Sequence, residues 1–160
     1  MSDSNAPVPA PDPAAPMAPT PEASLEVLGL LVCREVQNGR SGVSLREVVE
    51  IVPVLQFPGE AGPLAFVAFV RPLRAGEAAV SFRVHPMQDP SQTVVQLPGR
   101  LTVQKGYEGR QTVVSAGFKT LQVKAGGWFG LEFRLGEHVL ARTRFAVGAI
   151  GKPKEPAAGA

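Results

Sequence analysis

The stretch that decides the fold is residues 121–147, LQVKAGGWFGLEFRLGEHVLARTRFAV. Apolar and polar side chains alternate along both halves of it, which places the apolar ones on one face of each strand. The expected inward positions are Leu131, Phe133 and Leu135 in the first half, and Val139, Ala141, Thr143, Phe145 and Val147 in the second. The stretch therefore predicts a hairpin at the closing edge of a β-sandwich.

The loop of this hairpin sets the register of its two strands. A plain two-residue loop at Gly136 and Glu137 would put Leu131 opposite Arg142, so the apolar faces would not match. A three-residue loop that includes His138, or a two-residue turn followed by a bulge, restores the match. The expected pairs are then Leu135 with Val139, Phe133 with Ala141, Phe129 with Phe145, and Glu132 with Arg142.

Length and composition predict one ordinary domain. The chain has 160 residues, of which 44% are hydrophobic and 19% are charged, enough to build a core. Residues 25–150 contain 14 basic and 10 acidic side chains, which gives this part a charge of +4. The arginines stand singly between apolar residues, which is typical of a solvated strand face and not of a nucleic-acid-binding stripe. We therefore expect no nucleic acid as a partner.

The sequence also predicts the compartment. The N-terminus has neither the basic nor the apolar region of a signal peptide. No stretch approaches the roughly 20 apolar residues of a membrane-spanning helix. The single cysteine, Cys33, excludes an internal disulfide and suits a reducing environment. We expect a cytoplasmic protein that makes no contact with a membrane.

Both ends of the chain differ in composition from its middle. Residues 1–23 are rich in proline and alanine and contain no aromatic side chain, so we expect a disordered tail. We interpret it as a spacer, with recognition of the PxxP motif at residues 13–16 as the alternative. Residues 151–160 are expected to form a second, shorter tail. The folded domain is then residues 24–150.

The remainder of the domain predicts short strands separated by turn residues. The expected strands are 25–36, 43–52, 64–73, 78–85, 93–97, 101–105 and 111–115. The segment 43–52 also has helical spacing, but its β-branched content and Pro53 favour a strand with a bulge near Glu47 and Val48. We predict an all-β fold, a single antiparallel β-sandwich of immunoglobulin-like or jelly-roll kind, with about eight to ten strands.

A series of residues resembles a known family. In chain order they are Cys33, a glycine-containing turn, Ser44-Leu45, Phe57-Pro58, Gly127-Trp128, Gly136-Glu137, Ala141 and Val147. The order is similar to that of a family of small bacterial β-sandwich proteins of unknown function. The resemblance covers residues 25–148 and implies the fold. It implies no catalytic residue, because that family has no established activity.

Few side chains suit catalysis or metal binding. Cys33 lies in an apolar strand, which indicates a buried structural residue and not a nucleophile. His85 and His138 have no second ligand at metal-binding spacing, so we interpret both as surface residues. Glu132 is the best carboxylate for a glycosidase-type reaction. Its predicted pairing with Arg142 would keep its pKa low, which does not suit a proton donor.

Trp128 is the strongest candidate for a contact residue. Because Phe129 is expected in the core, Trp128 points to the outer face, where an exposed tryptophan is a common anchor. Arg134, Arg142 and Arg144 complete the candidate site. The sequence thus favours a non-catalytic protein-interaction or assembly module, whose partner is an unknown protein or a second copy. The alternative is a lectin-like sandwich for a carbohydrate or another small ligand. We expect no enzymatic activity, no metal and no cofactor.

Overall fold

The computed structural model describes residues 24–150, and both predicted tails lie outside the described residues. Its strands are β1 (Leu25–Gly39), β2 (Gly42–Val48), β3 (Ile51–Val54), β4 (Gly59–Ala61), β5 (Leu64–Pro72), β6 (Gly76–Pro86), β7 (Val95–Val103), β8 (Thr112–Phe118), β9 (Leu121–Val123), β10 (Gly127–Leu135) and β11 (His138–Ala149). Within this range, no helix has the length and apolar character needed to cross a membrane.

Two sheets make up the sandwich. One has the strand order β2-β1-β5-β8 and the other β3-β11-β10-β6-β7, while β4 and β9 form a small separate sheet. The strands pair antiparallel except β3 and β11, which run parallel. The predicted all-β sandwich is confirmed. Its order, with β5 between β1 and β8 and β10 between β6 and β11, is the immunoglobulin-like one.

The core lies between the two sheets and is dominated by phenylalanine. Phe66 on β5 reaches across to Phe82 and Phe145, with ring centroids 6.0 and 6.2 Å apart. Phe133 continues the cluster, 5.1 Å from Phe82. These four rings are buried. The alternation of inward residues on β6, on β10 and on β11 from Ala141 onward is as the sequence predicts. The inward position of Val139 was wrong, because Val139 pairs with the outward Arg134 and Leu140 packs against the core instead.

Strands β10 and β11 form the predicted hairpin, with the second of the two expected loops. Its predicted place at an edge was wrong, because β3 and β6 flank it within the five-stranded sheet. Gly136 and Glu137 make a two-residue turn, and Gly136 has a φ of 56°, a left-handed conformation that favours glycine. A bulge follows next to Phe133. Three of the expected pairs are present: Phe133 with Ala141, Glu132 with Arg142, and Phe129 with Phe145. The fourth was wrong, because Leu135 pairs with His138 and not with Val139.

The segment 43–52 is a strand and not a helix, but the prediction of one continuous strand was wrong. Strand β2 pairs with β1 in the four-stranded sheet, and β3 then joins the edge of the other sheet beside β11. Glu47 has a φ of 50°, which is uncommon for a residue other than glycine. The slip in the apolar pattern near Glu47 thus marks the place where the chain changes sheets.

Two other predicted boundaries were also wrong. The segments 93–97 and 101–105 belong to one strand, β7, and Pro98 lies inside it opposite Ser81. A proline is tolerated there because β7 is an edge strand, whose outward N–H groups have no neighbour to bind. Residues 121–123 do not extend the hairpin, because they pair with β4.

Candidate functional site

The outer face of the five-stranded sheet carries all four predicted contact residues. Trp128 and Arg134 project from β10, and Arg142 and Arg144 project from β11, on the side opposite the phenylalanine core. Other side chains on β6 and β10 share this surface. We call it the Arg–Trp face and define it by Arg83, His85, Trp128, Gly130, Glu132, Arg134, Arg142 and Arg144.

One edge of the Arg–Trp face continues into an apolar row. Ile51 on β3 pairs with Ala146 on β11, and Ala146 pairs with Trp128. Met87 follows on the other side, since its N–H donates to the carbonyl of Trp128 at 2.9 Å. Ile51, Trp128 and Met87 are all exposed. A solvent-facing apolar row therefore lies directly beside the charged residues.

Glu132 is the centre of the charged part and is buried, with 5% of its surface exposed. Its Oε2 accepts a hydrogen bond from Nη1 of Arg83 at 3.2 Å, and its Oε1 accepts one from Nε of Arg142 at 3.2 Å. Nε2 of His85 is 3.7 Å from Oε1. The predicted pair of Glu132 and Arg142 is confirmed, but it belongs to a larger cluster.

These contacts decide the protonation state of Glu132. Burial opposes its ionisation, but hydrogen bonds from Arg83 and Arg142 and the positive charge of Arg83 outweigh burial and hold the pKa of this carboxyl below its usual value. At neutral pH the group is an acceptor with both oxygens engaged. It is therefore a poor general acid, in agreement with the sequence-based interpretation.

Arg83 also ties the Arg–Trp face to the loop between β6 and β7. Its Nη2 donates to the carbonyl of Pro90 at 2.6 Å, and its Nε donates to Oγ1 of Thr93 at 2.9 Å. One guanidinium thus binds the buried carboxylate and the loop at the same time. The role of Arg83 was missed at the sequence level, because nothing in the sequence around it indicates that Glu132 is its partner.

His85 is not the surface residue that we predicted. Its side chain faces outward from β6, but only 6% of the residue is exposed. The imidazole lies over Gly130, where a Cβ atom would come within 2.6 Å of its Nε2. Its Nδ1 is 3.1 Å from the carbonyl of Pro86. A glycine at position 130 therefore makes room for the ring. The other histidine, His138, is exposed as predicted.

Arg134 also differs from the solvated residue that the sequence suggested. Its side chain is only 18% exposed. Nη2 donates to the carbonyl of Glu137 at 2.9 Å, while Nε is buried without a hydrogen-bond partner among the described residues, 4.0 Å from Oε2 of Glu132. Arg134 is thus a structural member of the cluster and offers little surface to a partner.

Trp128 has the predicted orientation. It is 47% exposed, while Phe129 beside it is buried. The guanidinium carbon of Arg144 lies 4.8 Å from the centre of the indole ring, a cation–π contact. A similar pair exists elsewhere on the surface: Arg110 lies 4.7 Å from the ring of Tyr107, which is 53% exposed. An exposed aromatic–arginine pair is therefore not unique to the Arg–Trp face.

Two concavities lie on or beside the Arg–Trp face. One, of about 570 Å³, lies over Gly130 between the arginines of β11 and the loop residues Met87 and Pro90. The other, of about 460 Å³, lies at the end of the sandwich and is lined by Trp128 together with polar side chains that include Gln88, Asp89, Gln92 and Lys124. The loop that follows β6 takes part in both.

The remaining candidates for chemistry offer no second site. Cys33 is buried in the four-stranded sheet, and burial raises the pKa of its thiol, which disfavours the reactive thiolate. Within residues 24–150, no group of three or more His, Cys, Asp or Glu side chains is placed to hold a metal ion.

Comparison with known proteins assigns no family to the chain. No protein-family model matches the chain, and no curated protein matches it. An immunoglobulin-like protein from Pseudomonas aeruginosa aligns with 79% of this chain and 98% of its own, at 15% identity and a TM-score of 0.42. This neighbour is an immunoglobulin-like bacterial protein, and a likeness at this level assigns the chain to no family.

Larger proteins contain a similar part. The alkylpurine DNA glycosylase AlkC from Pseudomonas fluorescens, in complex with DNA, aligns with 79% of this chain at 8% identity and a TM-score of 0.47. A β-glucosidase from Listeria innocua aligns with 78% at 11% identity and a TM-score of 0.46. The chain spans only 31% and 16% of these two proteins. At such identities the likeness concerns the fold alone.

Proposed function

We propose that this protein is a non-catalytic interaction module that binds a partner protein through the Arg–Trp face. The observation that carries the proposal is the contact of Trp128 with Arg144 beside an exposed apolar row. Tryptophan and arginine are enriched among the residues that dominate binding energy at protein interfaces. The apolar row supplies the water-excluding surroundings that such residues need.

The two exposed arginines are held in place before binding. Arg144 packs on the indole of Trp128, and Nε of Arg142 donates to the buried Glu132. Ordering a long side chain at an interface costs about 0.5–1.5 kcal/mol. Because these contacts already restrict both side chains in the unbound protein, binding of a partner loses less side-chain entropy. The Glu132 cluster thus acts as a support for the binding residues.

The same arrangement argues against catalysis. Glu132 is held ionised between arginines, and the Cys33 thiol is buried and protonated. Neither is a proton donor or nucleophile in the state that a reaction needs. The chemistry of the face is therefore that of recognition.

A second candidate is binding of a carbohydrate or another small polar ligand. It is favoured by the concavity of about 460 Å³ at the end of the sandwich, where Trp128 stands beside Gln88, Asp89 and Gln92. An aromatic ring with planar amide and carboxylate groups suits a sugar, which stacks on the ring and exchanges hydrogen bonds with the polar groups.

The two functions are separated by matched variants. Trp128→Ala/Arg144→Ala removes the aromatic–arginine pair of the Arg–Trp face, and Tyr107→Ala/Arg110→Ala removes the comparable pair elsewhere. In cross-linking and affinity capture from the source cells, we expect the first variant to lose specific partners and the second to keep them. Equal capture by both variants would contradict the proposal. Trp128 is the only tryptophan, so quenching of its fluorescence by free sugars would favour the second candidate.

A further inference from the structure

We infer that the partner segment bound by the Arg–Trp face is acidic and carries a bulky apolar side chain next to its carboxylates. This inference rests on the proposed function and adds the chemistry of the partner. It follows from the charge of the face, the spacing of its exposed arginines and the concavity beside them.

The Arg–Trp face has more arginines than carboxylates to neutralise them. It contains Arg83, Arg134, Arg142 and Arg144 and one buried carboxylate, that of Glu132. Glu137 at the hairpin turn lies near Arg134, with its carboxylate 3.9 Å from Nη2. Two positive charges therefore remain in excess even when Glu137 is counted. Carboxylates from a partner would neutralise this excess charge, and their attraction to the arginines would raise the rate of association.

The exposed part of this excess lies on β11. The side chain of Arg142 is 71% exposed, and Arg144 is exposed as well. They are two residues apart on one strand, which places them on the same face roughly 7 Å from each other. Two carboxylates of a partner that lie about 7 Å apart would match this spacing. Each guanidinium is suited to binding a carboxylate through two parallel hydrogen bonds.

The space between the arginines and the loop suits an apolar side chain. The concavity of about 570 Å³ is bounded by Arg142 and Arg144 on one side and by Met87 and Pro90 on the other, with Gly130 in its floor. The imidazole of His85 fills the space above Gly130 that a side chain at position 130 would need, and it also lines the concavity. An apolar side chain there would bury its surface against Met87, while its acidic neighbours meet the arginines.

The same features disfavour nucleic acid. A phosphate backbone is bound by many cations spread along a path. Here the two exposed arginines of β11 border the buried carboxylate of Glu132 and an apolar row. The surface therefore fits a short acidic and apolar stretch of protein better than a polyanion.

The test uses three labelled peptides and fluorescence anisotropy with the full chain. The first alternates Glu and Phe between Gly–Ser ends, the second has Lys in place of each Glu, and the third has Ser in place of each Phe. We expect the Glu–Phe peptide to bind at least about tenfold tighter than either of the others, and to weaken as salt is added. Equal binding of all three peptides overturns the inference.

Charge reversal locates the binding on the face. Arg142→Glu/Arg144→Glu is expected to weaken binding of the Glu–Phe peptide at least about tenfold and to strengthen binding of the Lys–Phe peptide. Arg40→Glu/Arg46→Glu, an equal charge change on the β1–β2 hairpin, is the control and should leave both peptides unchanged. Arg144→Glu alone keeps the bond between Arg142 and Glu132 and serves if the double variant does not fold. Loss of binding in the control overturns the inference.

The same samples test two other occupants, a nucleic acid and a second copy of this chain. A single-stranded oligonucleotide that binds tighter than the Glu–Phe peptide, and is lost on charge reversal of β11, would overturn the acidic-protein assignment. So would a dimer in light scattering that Arg144→Glu dissociates. If the Trp128 variant loses partners in the capture experiment while the peptides are not discriminated, the proposed function stands and this inference alone fails.

Discussion

The outer faces of the two sheets bury different kinds of side chain. On the five-stranded sheet, Glu132 and His85 are buried among arginines. On the four-stranded sheet, Cys33, Ala65 and Val67 are buried as a small apolar cluster. A two-layer sandwich normally leaves both of these faces to water. In this protein the side chains of each face cover one another.

On each outer face, the buried side chains are shielded from water by larger side chains around them. The apolar cluster is enclosed by Leu31, Val36, Leu45, Phe69 and Val113. The carboxylate of Glu132 is enclosed by the long side chains of Arg83, Arg134 and Arg142. Arginine stems cover surface while their charged ends bind the carboxylate. The apolar cluster of the four-stranded sheet is therefore stabilised by burial alone. On the five-stranded sheet, the buried charge of Glu132 is stabilised by the charges of the arginines around it.

The largest loss of stability is expected for variants of Phe133 and Phe145, inside the sandwich. This loss is the reference against which variants of the two outer faces are compared. Each is fully buried, so Phe133→Ala or Phe145→Ala should cost about 3–5 kcal/mol. Urea unfolding followed by tryptophan fluorescence measures this. A smaller loss than that caused by variants of the outer faces would show that the core does not lie between the sheets.

The charged face should give the next largest effect. Glu132→Ala leaves Arg83 and Arg134 in a partly buried place without their carboxylate, which should cost about 3 kcal/mol. Glu137→Ala, in an almost fully exposed side chain, is the control and should have little effect. Comparable losses in the two variants would mean that Glu132 is solvated.

The pH dependence separates the two faces further. The pKa of Glu132 is lower in the folded protein than in the unfolded chain, so its contribution is fully present above the unfolded value of about 4.3 and is lost as the pH falls through the folded value. The stability gap between wild type and Glu132→Gln should therefore narrow when thermal unfolding is measured at pH 3.5 in place of pH 7. A constant gap would contradict the lowered pKa.

The apolar face should give a smaller effect that does not follow this pH dependence. Cys33→Ala removes one buried atom and should cost about 1 kcal/mol. Burial raises the pKa of the thiol, so a thiol reagent at pH 7 should label native protein slowly and denatured protein quickly. Fast labelling of the native protein would show that the cluster opens to solvent.

The smallest effect is expected at the exposed edge of the Arg–Trp face. Arg144→Ala should change the free energy of unfolding by less than about 0.5 kcal/mol, as substitutions at exposed positions do. Arg134→Ala should cost more, because its side chain is largely buried beside Glu132. Equal losses would place both arginines in the same environment and remove the distinction between supporting and binding residues.

The sequence by itself determined the fold class and the direction of the side chains on the hairpin, apart from Val139 and Leu140 beside the bulge. Alternation is a local property of a strand, so Phe129 inward was enough to send Trp128 outward, and the pairing of Glu132 with Arg142 followed from the register. Turn residues marked most strand ends, because the backbone preferences of glycine, proline, asparagine and aspartate are also local.

Only the tertiary structure decided how deep the outward residues lie. Strand β10 is flanked by β6 and β11, so Glu132 has arginines on both sides and His85 has Gly130 beneath its ring. The sequence around Glu132 does not show that Arg83, 49 residues away, is its partner. Burial of an outward side chain depends on which strands become neighbours, and that is set by the packing of the whole chain.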